Sequence, residues 1–413
     1  MAFDKKGWIV DRAAAMFKRQ DQYAAKVKHL YDNAVERLLA LAAQTDIPID
    51  GDPFSFSDNP RISQEATAII RQLYSQVYQQ IKMGVEAEWD QANEFNDKLI
   101  KYIFGSKAKK NNLAQWFERN RQAQDAFFAR SQAVGGMNLS QRVWKYTSSL
   151  RGEMENAISV SIGEGVSAST MSRRVRQYLR EPDRLFRRVR GSDGKLRLSK
   201  PAQLYHSGRG VYRSSYKNAM RLTRTETNAA YRTADEERWR NLPFVVGYEV
   251  KTSNNHPEPD ICDDLKGKYP KDFKYTAWHP QCRCYVVPIL CTPQEMADLQ
   301  KKVIAGEDVS QWRSKIQVDV PPQGFVNWVR DNQDRIEAAA TKPYFIANNK
   351  GLVVKIWNGE PLAPEPPEAK LAQQGKKMLT DARAAMRGSR QPIHSTGECH
   401  IERCRSCRGD AAL

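Results

Sequence analysis

Between His256 and Cys284, a span of 29 residues, the chain gathers His256, Asp260, Cys262, Asp263, Asp264, His279, Cys282 and Cys284. These side-chain types bind transition metals. Nineteen residues separate Cys262 from Cys282, and two residues intervene between His279 and Cys282. Zinc takes thiolate and imidazole ligands tetrahedrally, and short-range ligand pairs flanking a longer loop deliver them. Four prolines ahead of Pro288 make the stretch turn-rich. A loop with so little helix or strand signal is not expected to hold itself by apolar burial, so a metal clip is expected. A disulfide or a purely hydrogen-bonded knuckle is the alternative reading of the same residues.

The flanking segments supply the means of positioning this loop. Phe244–Val250 alternates and is β-branched, and Tyr285–Leu290 follows the last cysteine of the loop. Paired as a hairpin or small sheet, they hold the Cys/His loop at their mouth. The helix expected over 212–241 contains RLTRTETNAAYRTADEERW and packs against it. Glu226 shares a face with Leu222, Ala229 and Ala230, and a carboxylate on a small-residue face needs a partner. An ion pair with Arg224, or with an arginine from the preceding segment, supplies one. A general base or metal ligand is the functional alternative for Glu226.

Upstream, apolar residues recurring at three and four predict long helices over 8–45 and 63–104. Further helices are expected over 111–132, which is aromatic-rich, and over 140–162. With no strand candidate among them they form an extended helical body. Downstream, Thr292-Pro293 opens a helix to Ile304, PPQGFVNWVRDN implies another, and Gly351–Trp357 reads as a strand. The fold class is α+β. Its expected divisions are a helical body over 1–139, the Cys/His domain with its basic segment over 140–292, a small α/β appendage over 293–358, and over 359–413 a proline-rich linker, a helix over 368–387 and a tail. That tail holds Cys399, His400, Cys404 and Cys407, read as disordered or as a second zinc site.

The 413 residues carry a net charge of +17 that is unevenly spread. From Met171 to Thr225 there are 16 lysines and arginines against three acids, a local +13. Such density suits a surface facing phosphates. Arg173, Arg174 and Arg176 lie on a short basic helix over 170–179. Arg187, Arg188, Arg190, Lys195 and Arg197 flank a hairpin tip at Ser192–Gly194. A finger for DNA or an acidic protein groove, or a solvated mobile hairpin, are the two readings. The glycines at 163 and 165 lack a following Gly-Lys-Ser/Thr, which argues against a nucleotide loop. The mean hydropathy is −0.68. Apolar runs are too short to span a bilayer, so no membrane partner is expected. The N-terminus lacks a long apolar stretch, which implies synthesis in the cytoplasm. Clustered cysteines beside histidine in such a chain favour metal over disulfides.

These residues also carry a family resemblance. Arg224-Thr225-Glu226 with Ala229 and Ala230 is followed by a strand, then Asp260 and Cys262, then Leu265 and Gly267. His279-Pro280-Gln281-Cys282-Arg283-Cys284 closes the pattern before a strand containing Pro288. Over about residues 140–292 the chain resembles the phage Mu F-like head morphogenesis proteins. The resemblance implies a minor capsid protein of a tailed phage, present in few copies with the portal and other capsid proteins inside the head. It would act in assembly, DNA packaging or ejection, with non-specific double-stranded DNA nearby, and be structural rather than catalytic. Many relatives have a second cysteine three residues after the first, whereas Asp263-Asp264-Leu265 follows Cys262 here. The expected zinc ligands are Cys262, His279, Cys282 and Cys284, with Asp260 or His256 as substitutes. A metal-dependent nuclease or toxin-like effector using Glu226, His279 and the basic hairpin is the competing reading. A sequence-specific DNA-binding regulator lacks a recognisable reading helix.

Overall fold

The computed structural model describes residues 5–45, 53–105, 113–131, 136–163, 168–180, 188–198, 214–253 and 260–363. Arg187, His256, the helix expected over 368–387 and the tail cysteines lie outside the described residues. The chain divides into one compact unit, Met1–Leu362, and a second, Ala363–Leu413. The divisions expected at 139/140 and 292/293 fall inside the first unit.

The first core is helical. α1 (Lys5–Ala42) buries Val27, Tyr31, Val35, Leu38 and Leu41, spaced at three and four. α2 (Pro60–Phe104) runs 45 residues, about 68 Å at 1.5 Å per residue. It begins three residues earlier than its apolar pattern implies. Asn59 accepts from the amides of Arg61 and Ile62, and Pro60 occupies the first turn, where its missing amide costs nothing. Gly105, at φ +61°, ends it. α4 (Leu139–Gly163) and α6 (Ser215–Arg240) complete this core with Leu150, Met154, Leu222 and Ala230. α5 (Ala168–Arg180) joins it through Val175 and Leu179.

The helix expected over 111–132 is broken. A 3-10 turn covers Ala114–Phe117, and α3 runs only Arg121–Ala129, after Asn120 at φ +47°. The ladder fails because other helices take its carbonyls. Trp89 donates its indole N–H to Arg119 O (2.8 Å), and Arg238 donates to Glu118 O (2.8 Å).

The second core surrounds a three-stranded antiparallel sheet, in which Val245–Lys251 lies between Gly267–Tyr269 and Tyr285–Leu290, and together with the helical body it makes the fold α+β. β3 (Val245–Lys251) pairs with β5 (Tyr285–Leu290) as the alternation implies, from Val245↔Leu290 to Lys251↔Tyr285. A bulge at Val246 turns its carbonyl to Val318 N (3.0 Å) and the Gln317 amide (2.9 Å). The Cys/His loop itself contributes α7 (Ile261–Leu265) and β4 (Gly267–Tyr269). It also buries Phe273, Tyr275, Ala277 and Trp278, so it holds far more apolar surface than its composition implies.

The C-terminal part of this unit is helical: α8 (Pro293–Ala305), α9 (Gln323–Asp331), α10 (Gln333–Ala338), α11 (Tyr344–Ala347) and α12 (Lys350–Trp357). The strand expected over 351–357 is therefore a helix. Val353 and Ile356, one helical turn apart, face the core, and the Trp357 indole donates to Val329 O (3.1 Å). Packing at that spacing overrides the β-branched composition. The basic hairpin forms as expected, β1 (Arg188–Arg190) against β2 (Leu196–Leu198), with Gly194 at φ +74° in its tip. No described helix is long and apolar enough to cross a membrane.

Candidate metal centre

The loop closes on α7. Asp260 caps it, accepting from Cys262 N (2.6 Å) while the Asp263 carboxylate accepts from Asp260 N (3.2 Å). This capping box fixes Cys262 in the first turn. Opposite, the turn His279–Cys282 is closed by Cys282 N to His279 O (3.2 Å), with Gln281 at φ +62°. A side chain in that left-handed region costs about 1 kcal/mol or more. The strain is held from α6, where the Thr225 hydroxyl accepts from Gln281 N (3.3 Å).

Cys262, His279 and Cys282 thereby converge, with their ligand atoms all within 4.8 Å of one another. The group can bind a metal ion. Its dimensions fit: thiolates about 2.3 Å from a tetrahedral metal stand about 3.8 Å apart, and Cys262 Sγ lies 3.8 Å from Cys282 Sγ. Cys262 Sγ to His279 Nε2 is 3.1 Å, a few tenths inside the corresponding edge. His279 Nδ1 lies 3.0 Å from the Pro280 carbonyl, so a ring N–H there leaves Nε2 as the ligand atom. Asp260 Oδ2 stands 3.3 Å from the same Nε2. All four described cysteines are free thiols.

Cys284, the fourth expected ligand, is buried beside this trio but outside the 4.8 Å group. A hydrogen bond with Cys262 pulls its thiol down, but one with Cys282, burial and the Cys282 charge carry it net up to about 12. Hydrogen bonds with Cys262 and then Cys284 hold the Cys282 thiol well below its ordinary range, against its burial, with Arg232 adding to the effect.

α6 grips the knuckle from behind. Asn228 donates to Cys282 O (2.8 Å), and Arg232 donates to the carbonyls of Cys282 (3.3 Å), Cys284 and Thr276. Asn228 and Arg232 were not among the residues singled out from sequence. Their signal was a polar stripe, Thr225, Asn228 and Arg232 at helical spacing, on a helix face otherwise lined by alanines. Aromatic rings complete the shell, with Tyr275 and Trp278 centroids 4.6 Å apart and the Tyr275 hydroxyl 3.6 Å from Cys282 Sγ.

Glu226 is buried and ion-paired, but not to Arg224. Arg130 reaches its Oε2 (2.8 Å) and Arg142 its Oε1 (2.9 Å). Residues two apart on a helix do not face each other; Arg224 turns outward to Asp21 (3.0 Å) and Gln281 (3.5 Å). Burial pushes the Glu226 carboxyl up, yet Arg130 and Arg142 hold it net below its ordinary value. Both of its oxygens are engaged by guanidiniums.

The basic residues divide. Arg173 and Lys195 are exposed, and Arg174 is half-buried. Arg176 pairs with Glu36 (2.8 Å), Arg197 with Asp193, and Arg190 bonds Gly194 O (3.0 Å). Arg188 opens β1 opposite Leu198. No family model, curated protein or solved structure matches the chain.

Proposed function

We propose that the chain is a minor head protein of a tailed phage or prophage, of the Mu F-like kind, carried in the virion at the portal or head interior. It acts in capsid assembly and in DNA packaging or ejection, as a structural component rather than an enzyme. The observation that carries this reading is the docking of the two halves of the motif. Arg224-Thr225-Glu226 and the alanine-lined face of α6 meet His279–Cys284 through Thr225, Asn228 and Arg232. Segments more than 50 residues apart that resemble one family's signature form one continuous unit.

The metal is zinc, held by Cys262, His279, Cys282 and Cys284, and it stiffens the knuckle between the sheet and α6. Three buried thiols beside aromatic rings, with a half-buried imidazole, suit a structural site. The exposed members of the basic segment, Arg173 and Lys195 among them, lie against double-stranded DNA without reading bases. The partners are the portal and neighbouring capsid proteins, and the chain is made in the host cytoplasm. Peptide mass spectrometry of particles purified after induction of the source phage tests the role. The chain is expected in intact heads at a few copies each; its absence from heads, with abundance in the lysate alone, would overturn the reading.

A further inference from the structure

Arg232 is 2% exposed, and its hydrogen bonds go to three neutral backbone carbonyls. The other buried arginines among the described residues have carboxylates: Arg238 has Asp97, and Arg142 has Glu226. Among the described residues no carboxylate pairs with Arg232. An uncompensated charge at such a depth costs several kcal/mol, and carbonyl dipoles alone leave its net charge unbalanced. The Tyr275 ring, 5.0 Å from the guanidinium carbon, adds a cation–π contact but no full charge. The groups on that side able to carry one are Cys282 and Cys284, whose backbone carbonyls Arg232 already holds.

A divalent metal with two thiolates and a neutral imidazole sums to zero; with three thiolates it sums to −1. Resting on the metal reading above, we propose that Arg232 is the counter-ion of a three-thiolate centre, and that its buried charge selects Cys284 over water for the fourth position. An Asp260 carboxylate gives the same sum. However, that side chain is 40% exposed, so water screens it, and its Oδ1 is committed to Cys262 N. Arg232 is a positioning residue. It neutralises the centre, pins the carbonyls on both sides of Arg283, and ties metal occupancy to the seating of α6.

Co²⁺, which takes zinc's tetrahedral geometry and absorbs visibly, is the probe, titrated into the reduced full-length chain. The wild type is expected to bind one ion with thiolate-to-metal absorption that falls by about one third in Cys284→Ser and is unchanged in Asp260→Asn. Arg232→Met is expected to weaken binding about 10- to 100-fold, the usual cost of losing an outer-shell partner. Arg232→Lys, which keeps the charge but not the fork, stays within about tenfold of wild type. Arg232→Met with Cys284→Ser binds no more weakly than Arg232→Met alone, because the two charges leave together. Wild-type affinity in Arg232→Met, a lysine variant as weak as the methionine one, or full absorption in Cys284→Ser would each overturn the proposal. Should Arg232→Met fail to fold by circular dichroism, the lysine and Cys284→Ser arms decide. A wild-type chain that takes up no Co²⁺ overturns instead the metal reading beneath it.

Discussion

Replacing Glu226 by alanine removes the anion between Arg130 and Arg142 and leaves two guanidiniums facing each other. Breaking a buried ion pair by deleting one partner costs about 3–5 kcal/mol. Here the two arginines differ: the Arg130 side chain is 29% exposed and can turn to water, whereas Arg142 is 7% exposed and its charge is trapped. The cost therefore sits near the lower bound, about 3 kcal/mol. At about 2.1 cal/mol/K per residue, a unit the size of Met1–Leu362 unfolds with about 0.8 kcal/mol/K, so Tm falls by about 4 °C. Calorimetry at pH 7 reads this directly. Arg224→Ala is the control; its partner Asp21 is 48% exposed, so it costs at most about 1 kcal/mol. Adding Arg142→Met to Glu226→Ala recovers part of the loss by removing the trapped charge. The carboxyl is depressed in the folded state, so its stabilisation is full above its ordinary value of 4.5 and is lost as pH falls through the folded value. The gap between wild type and variant must therefore narrow in acid. A Glu226→Ala chain within 1 °C of wild type at pH 7 would refute the reasoning.

Three further outcomes follow from the same geometry. Cys282→Ser abolishes metal uptake measured by elemental analysis, whereas Cys291→Ser leaves it intact, because Cys291 is buried outside the metal group. The Glu295 carboxyl is held at about 2, first by the Lys315 and Thr292 backbone amides, so its contribution is present above 4.5 and lost as pH falls towards 2; Glu295→Gln raises the pH of acid unfolding followed by circular dichroism. Plasmid DNA is retarded but not cut in the presence of divalent metal. Affinity falls steeply with salt, and Arg173→Ala and Lys195→Ala each reduce the slope of log affinity against log salt by about one.

What the sequence disclosed was what depends on local spacing. The alternation of Phe244–Val250 and Tyr285–Leu290 identified the paired strands, Ser192–Gly194 the hairpin tip, and the apolar repeats the long helices. The Cys/His spacing found the three residues that converge, because ligands on the two sides of one loop are brought together by its closure. The Asp260–Asp263 capping box of α7 is equally local, carried by two acids three residues apart. What stayed hidden depends on tertiary partners. The arginines of Glu226 stand 84 and 96 residues away, and nothing near Glu226 names them. The break before α3 is set by Trp89 and Arg238 taking carbonyls at 118 and 119. Val353 and Val354 carry strand-forming side chains into a helix because Val353 and Ile356 face the core one turn apart. Asn228 and Arg232 are legible only once the backbone they grip is known to pass alongside.

On the proposed function, the thiols and imidazole of this loop close around one metal and brace a scaffold. X-ray absorption at the zinc edge, on the full-length chain isolated without added chelator, tests it most directly. About one zinc per chain is expected, in a four-coordinate shell of three sulfurs at about 2.3 Å and one imidazole nitrogen at about 2.0 Å. A chain isolated without metal, or a shell dominated by oxygen, would contradict it.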